Sequence, residues 1–503
     1  MGWGLWMLEI LGDLLAVAIL GLLLWVLVAF VVDRTQTRHT IRRNYPVIGR
    51  FRYWFEHLGV FFRQYFFSLD REEMPFNRAD RSWVYRAAKN ETLNVAFGST
   101  RDIDKPGTPI FLNALIPISH EAHEPPALLT FGPDCPNPYS TRSLFNISAM
   151  SFGALSAPAV EALSKGAARA GCWLNTGEGG LSPHHLSGHC DLIFQIGTAK
   201  YGVRNAAGEL DDSKLADIAA LTEVKMFEIK LSQGAKPGKG GILPAEKVTQ
   251  EIAAIRGIPV AEASISPNGH TEVKQVSDLL DLVARVRRVT GKPTGIKFVL
   301  GDARWLDELF LLIGERGHPS APDFITLDSG DGGSGAAPQP LMDTTGLPIK
   351  ESLPQLVALL QKYGLRERIK VVVAGKLITP SAVATALCVG ADAINSARGF
   401  MFALGCIQAM QCNKNTCPTG VTTHDKRLQR GLVPAEKALR VAQYHQQMTD
   451  SLNMIAHACG VAEPRQMTPA HVRLVTRPGH SLPLLDYVQA AAARSEEGAR
   501  ESL

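Results

Sequence analysis

Paired cysteines, net charge and long apolar runs are all scarce in this 503-residue chain, and each scarcity removes a class of protein. Five of its eight cysteines, Cys135, Cys172, Cys190, Cys388 and Cys459, are scattered without a paired framework, which excludes a secreted disulfide scaffold. A formal net charge of only +4 gives no concentrated basic face, so no nucleic-acid partner is expected. Glycine, by contrast, is plentiful at 45 residues, and it clusters. Such clusters mark turns and places where backbone approaches a ligand closely.

One long apolar run is present. Leu14 to Val32 gives nineteen consecutive uncharged residues, LLAVAILGLLLWVLVAFVV. As a helix rising ~1.5 Å per residue it reaches about 28 Å, close to the ~30 Å hydrocarbon thickness of a bilayer. Asp33 and Arg34 end the run, and Arg38, Arg42, Arg43, Arg50 and Arg52 follow; the preceding side carries Glu9 and Asp13 and neither Lys nor Arg. The positive-inside bias therefore predicts a single-pass transmembrane helix within residues 1–33, anchored in the lipid bilayer, with the rest of the chain in the cytoplasm. A cleaved signal peptide fits poorly, because the run is too long, no positive charge precedes it and no small-residue cleavage site follows. A buried helix of a soluble protein is the plainer alternative. Residues 34–90 form a juxtamembrane segment rich in arginine and aromatics (FRYWFEHLGVFFRQYFF), which suits either the membrane–water interface or helices packed on a folded domain.

Beyond residue 140 short apolar runs alternate with helix-like stretches, the order of a parallel α/β fold. The runs fall at 145–151, 172–177, 192–197, 226–232, 294–300, 324–330, 370–375 and 392–398. Eight of them favour a closed (β/α)8 TIM barrel over an open sheet. The barrel domain is taken as 91–450, with 451–503 as a helical C-terminal extension and tail.

Barrels of this kind build their sites at the C-terminal ends of the strands. Those ends carry Ala149, Met150 and Ser151; Glu178; Gln195; Lys230, Gln233 and Lys236; Lys297; Gly332 and Gly333; Gly375 and Lys376; and Arg398. Any one such string is commonly just a tight loop, but turns alone do not explain so many together. Lys230 and Lys297 lie inside apolar strands, where an ammonium is costly to bury unless it meets an anion. They either snorkel outward or face such a partner. A reduced flavin is one, since a cation near its N1 stabilises the anionic form. The ends of the last two strands are the usual phosphate site.

Three cysteines are clustered. Cys406, Cys412 and Cys417 are spaced C-x5-C-x4-C and followed by Pro418. Thiolates select zinc, copper(I) or iron–sulfur clusters. Structural zinc normally takes four ligands, whereas three cysteines ending in Cys-Pro suit an iron–sulfur cluster. His424 would complete the zinc alternative.

The chain from about 145 to 430 resembles the FMN-binding synthase domain of glutamate synthase. The matching strings are AMSFG (149–153), NTGEGG (175–180), EIKLSQGAKPGKGG (228–241), LP (243–244), ISP (265–267), DGGSGA (331–336) and GCIQAMQCNKNTCPTGVTT (405–423). The resemblance implies an FMN barrel whose strand-end residues Ala149, Met150, Ser151, Gln195, Lys230, Lys297, Gly332, Gly333, Gly375, Lys376 and Arg398 bind the cofactor. It implies a [3Fe–4S] cluster on the cysteine trio. It places Glu178, Lys230, Gln233, Lys236 and Arg256 near flavin and 2-oxoglutarate, with Glu178 and Lys230 as the catalytic pair. The expected activity is reductive amination of 2-oxoglutarate or a related 2-oxo acid with ammonia. The alternative is a membrane-linked amine or amino-acid dehydrogenase on the same scaffold. The glutaminase part of the full enzyme is expected to be lacking, so ammonia would arrive free or from a separate glutaminase. No dinucleotide-binding fold is read in the chain, and electrons are expected from an external donor protein or the membrane pool. One departure bears on the substrate. The family's GGQLP reads Gly240-Gly241-Ile242-Leu243-Pro244 here, and Ile242 cannot donate a hydrogen bond.

Overall fold

The computed structural model of the chain describes residues 2–119 and 126–490. They divide into two compact units, Met1–Ala79 and Asp80–Leu503.

In the first unit, α1 (Gly2–Thr35) is followed by the short α2 (Thr40–Asn44) and by α3 (Gly49–Phe62), which runs on into a π-helical turn, Arg63–Phe67. α1 is long and apolar enough to cross a membrane. Of its described residues only Ala29 and Asp33 are buried. Asp33 closes the chain reversal that follows. Its carboxylate accepts from Arg42 Nη2 at 2.7 Å, from Arg50 Nε at 2.7 Å and from the Val47 backbone N–H at 3.0 Å. The bends after α1 are thus built around one carboxylate whose partners come from the next seventeen residues.

In the second unit eight parallel strands close into a barrel: β1 (Phe145–Ile147), β2 (Leu174–Asn175), β3 (Leu192–Ile196), β4 (Val224–Lys230), β5 (Thr294–Val299), β6 (Phe324–Asp328), β7 (Lys370–Ala374) and β8 (Ala393–Ser396). Each pairs with its sequence neighbours, and β8 returns to β1. Nearly every strand residue is buried, because parallel strands are covered on both faces and so read as continuous apolar runs. Each observed strand falls within its expected run or overlaps it, give or take two residues. The polar ends lie just past the strands, in loops.

The covering helices meet the barrel closely. α4 (Ala157–Ala170) starts at Ser156, whose hydroxyl accepts from the Ala159 N–H at 3.3 Å. It packs on α5 (Pro434–Ala458) at Gly166, where a Cβ would come within 2.5 Å of Val441.

The N-terminal mouth of the barrel is plugged by the hairpin Leu129–Phe131 and Tyr139–Thr141. Phe131 packs edge-on against Trp173 and Phe324, with ring centroids 5.7 and 5.6 Å apart. Below this plug Asp323, wholly buried, accepts from Arg287 and Arg368, each at 2.9 Å, and from the Thr294 N–H at 2.8 Å.

The C-terminal stretch differs from expectation. α5 continues past residue 450, and 451–503 is not simply helical, for Val472–Arg477 and His480–Pro483 form strands that extend a sheet with Pro109–Phe111. The β-branched residues of VRLVTR favour an extended strand, in which Val472 and Val475 are buried, and a Pro-Gly turn closes the hairpin. Residues 491–503 of the expected tail lie outside the described residues.

Candidate active site at the C-terminal ends of the strands

Glu228 and Lys230 stand two residues apart on β4, so both side chains point to one face of the strand. Lys230 is in register with Lys297 on β5. Lys230 Nζ donates to Glu178 Oε1 at 2.6 Å and to Gln233 Oε1, and Gln233 Nε2 passes the chain on to Ser334 Oγ at 3.0 Å. Lys297 Nζ lies 3.4 Å from Asp328 Oδ2. Burial opposes the charge on Lys297, but Asp328, Glu228 and Glu178 outweigh it and raise its pKa.

Glu178 is walled by glycine. A Cβ on Gly197 would come within 2.6 Å of its Cβ, and one on Gly241 within 2.6 Å of its Oε1. Burial would push its carboxyl upward; Lys230, Lys236 and Arg256 reverse that and hold it below the usual range, as a carboxylate.

Lys236 is different. It is buried, its only hydrogen bond among the described residues is a 3.5 Å contact to the Gly240 carbonyl, and no carboxylate lies within ion-pairing distance. Burial and the neighbouring Lys230 lower its pKa to about 8, with Glu178 opposing. Arg256 is also buried without a carboxylate. Its Nη1 donates to Ser264 Oγ at 3.1 Å, its Nη2 to the Phe152 carbonyl at 3.3 Å, its Nε has no partner among the described residues, and the guanidinium lies over the Tyr201 ring.

Ala149, Met150 and Ser151 follow β1, and the Met150 carbonyl accepts from His185 Nε2 at 3.0 Å. Gly332 and Gly333 follow β6; a Cβ on Gly333 would meet Arg398 Nε at 2.9 Å. Gly375 follows β7 at φ +118°, packed so that a Cβ would come within 2.2 Å of Ser329 Cβ. Lys376 pairs with Asp331 at 2.9 Å. Arg398, after β8, donates to the Ser334 carbonyl at 2.8 Å and reaches Cys412 Sγ at 3.8 Å, so it ties the glycine loop to the cysteine loop.

Cys406, Cys412 and Cys417 line one cavity together with Met401, Met410, Pro418 and Val421. Burial pushes the Cys406 thiol up to about 11. Burial also acts on Cys417, but hydrogen bonds from Thr419 and Thr422 prevail and lower it. Lys247, buried, donates to the Cys412 carbonyl at 3.1 Å and to the Ala154 carbonyl at 2.8 Å. His424, the fourth ligand of the zinc alternative, has its Nε2 2.9 Å from the Gly153 carbonyl and is not among the residues that line the cavity. Among the described residues no three His, Cys, Asp or Glu side chains are grouped to hold a single ion.

Three residues of this region were not among those read from the sequence: Glu228, Lys247 and His270. Glu228 is fully buried and accepts from Asn175 at 2.8 Å, Gln195 at 2.6 Å and Thr326 at 2.5 Å. Its two-residue offset from Lys230 was a usable signal. His270 Nε2 lies 3.0 Å from the Lys230 carbonyl, a contact with no counterpart in local sequence.

Residues 122–462 match the conserved region in glutamate synthase. The chain belongs to the glutamate synthase family. A glutamate synthase large subunit-like protein of Bacillus subtilis (strain 168), YerD, is 40% identical over 482 residues, covering 88% of this chain and 91% of that one. The archaeal glutamate synthase (NADPH) of Methanocaldococcus jannaschii is 32% identical over 325 residues, 63% of this chain and 58% of that one. The chain thus spans a little over half the length of that glutamate synthase. Among solved structures it is similar to a chimera of (S)-mandelate dehydrogenase at 13% identity and a TM-score of 0.47, covering 78% of this chain and 91% of that one. So distant a likeness carries no argument about activity.

Proposed function

We propose that this glutamate synthase-like oxidoreductase performs reductive amination of 2-oxoglutarate or a related 2-oxo acid: oxo acid, ammonia, two electrons and two protons give the amino acid and water. The observation that carries this reading is Lys236, a buried ammonium without a counter-ion beside a glycine-walled carboxylate. An ammonium in that setting binds an anion, and a carboxylate of the oxo acid is the anion the family reading calls for. Glu178, held ionised by Lys230, accepts hydrogen bonds from the incoming nitrogen and takes or returns its proton. Lys230 and Gln233 fix the orientation of that carboxylate. Arg256 contributes positive potential from behind the Gly179 backbone rather than an open arm.

The residues fit FMN. Lys230 and Lys297 put two ammonium groups side by side at the strand ends, and Arg398 and Lys376 stand by the last two strands. FMN bound there would supply hydride transfer, and Lys297 would offer positive charge to its ring. The trio fits a [3Fe–4S] cluster: three thiols share a cavity, with Arg398 and Lys247 alongside to balance thiolate charge. Such a cluster relays single electrons. An external donor protein or the membrane pool is the source of electrons in this reading, and ammonia comes free or from a separate glutaminase.

The long apolar α1 favours a second reading, an amine or amino-acid dehydrogenase delivering electrons to the membrane. Anaerobic spectroscopy separates the two. Reductive amination requires that oxo acid and ammonium reoxidise the reduced flavin; the dehydrogenase requires that an amine or amino acid reduce the oxidised one.

A further inference from the structure

Outside the barrel, one row of large aromatic side chains on α3 stands exposed. Phe51, Trp54, Phe55, Leu58 and Phe62 recur at spacings that place them on one face of α3. Phe66 continues the row, its ring centroid 5.5 Å from that of Phe62. Trp54 and Phe55 are 56% and 59% exposed, and Phe51, Phe62 and Phe66 are exposed as well. Arg52 and Glu56 form an exposed pair at 3.5 Å, and their spacing sets them on a different side of the helix from this row. A continuous aromatic face of this length on a folded helix has an occupant.

The start of α3 is fixed to the end of α1. Arg50 donates to Asp33 and to the Ala29 carbonyl, and its guanidinium lies 5.8 Å from the centroid of the Trp25 ring. The first turn of α3 is therefore level with the last apolar turns of α1, the helix long and apolar enough to span a bilayer. Arg34, Arg38 and Arg43, all exposed, surround the junction.

We infer that α3 and its π-helical turn form a second membrane element, a helix lying in the phospholipid interface. The aromatic face enters the acyl boundary, and the arginines at the α1–α3 junction meet lipid phosphates. Aromatics and arginine are the side chains that settle at this depth, and the Asp33 clamp holds the helix there. The inference rests on the geometry of this unit and not on the reaction proposed for the barrel.

The test uses the full-length protein in nanodiscs of phosphatidylcholine and phosphatidylglycerol. A small fluorescent amino acid is placed at position 55 or 62 on the aromatic face, or at position 52 or 56 on the other side. At 55 and 62 brominated acyl chains should remove most of the emission while aqueous iodide has little effect; at 52 and 56 the order should reverse. Equal iodide quenching at all four positions would overturn the inference by leaving the face in water. Protection at 55 and 62 from both quenchers would also overturn it, by showing that protein covers the face.

Discussion

The two mouths of the barrel handle buried charge in opposite ways. At the N-terminal mouth Asp323 sits under an aromatic plug, and every strong interaction it can make is made: two arginines and a backbone N–H converge on one carboxylate. At the C-terminal mouth the carboxylates are fewer than the cations. Glu178 and Asp328 occupy Lys230 and Lys297, while Lys236, Arg256, Arg398 and Lys247 have no carboxylate partner among the described residues. A buried ion stays buried only if something compensates it. Where the protein itself supplies that compensation the group is structural; where it does not, the fold is set up for an anion from outside. This contrast, more than any single motif, separates the mouth that holds the barrel together from the mouth to which we assign the chemistry.

The largest expected effect falls at the structural end. Asp323→Ala strands two arginines, and breaking a buried pair of this kind costs roughly 3–5 kcal/mol. Thermal unfolding should show a large loss of stability, while any protein that remains folded keeps its affinity for the oxo acid. Lys236→Met should do the reverse. Losing a charged hydrogen bond to substrate costs about 1.5–3 kcal/mol, or roughly 10- to 100-fold in kcat/KM. The melting temperature should hold or rise, because an uncompensated buried cation has been removed. If Lys236→Met unfolds the protein, the division between the two mouths is broken.

Lys297→Met should retain flavin but lower its reduction potential, read by anaerobic potentiometric titration. A potential equal to wild type would mean that Asp328 already neutralises the ammonium.

The smallest effect is in pH. The pKa of Lys236 is lowered to about 8, so the ammonium is intact below that value and lost above it. KM for the oxo acid should be flat below about pH 8 and climb above it, up to about tenfold per unit. The stability sign is opposite. Between about 8 and the ordinary lysine value near ~10.4 the unfolded chain holds the proton that the folded chain has released, so this group's contribution to stability improves as pH rises. Subtracting the profile of Lys236→Met from that of wild type isolates both effects.

How much of this was legible in the sequence depended on the range of the interaction. The barrel strands were legible, since a parallel strand covered on both faces is a short unbroken apolar run. The strand-end polar residues were legible because the fold assigns them one rim. Glu228 was missed although it is two residues from Lys230, because a lone carboxylate in an apolar run gives no hint of Asn175, Gln195 and Thr326 arriving from three other strands. The N-terminal plug was missed for a similar reason. Its strands are three residues long, and Phe131 meets Trp173 and Phe324 only once the barrel has closed. The same holds for Asp323, whose partners Arg287 and Arg368 are on either side of it in the chain and dozens of residues away. The strands at 472–483 were lost to an expectation of helix, although the β-branched residues around a Pro-Gly turn were visible.

The central claim is that the C-terminal mouth binds a 2-oxo acid and delivers electrons to its imine. The most direct test reduces the purified holoprotein under anaerobic conditions and mixes it, in a stopped-flow spectrometer, with ammonium and a panel of 2-oxo acids that includes 2-oxoglutarate. The account predicts that the flavin absorbance returns at a rate set by both oxo acid and ammonium concentrations, that the matching amino acid accumulates, and that Lys236→Met slows this return. A reduced flavin that none of the oxo acids reoxidises, in protein that retains its full flavin content, would contradict it.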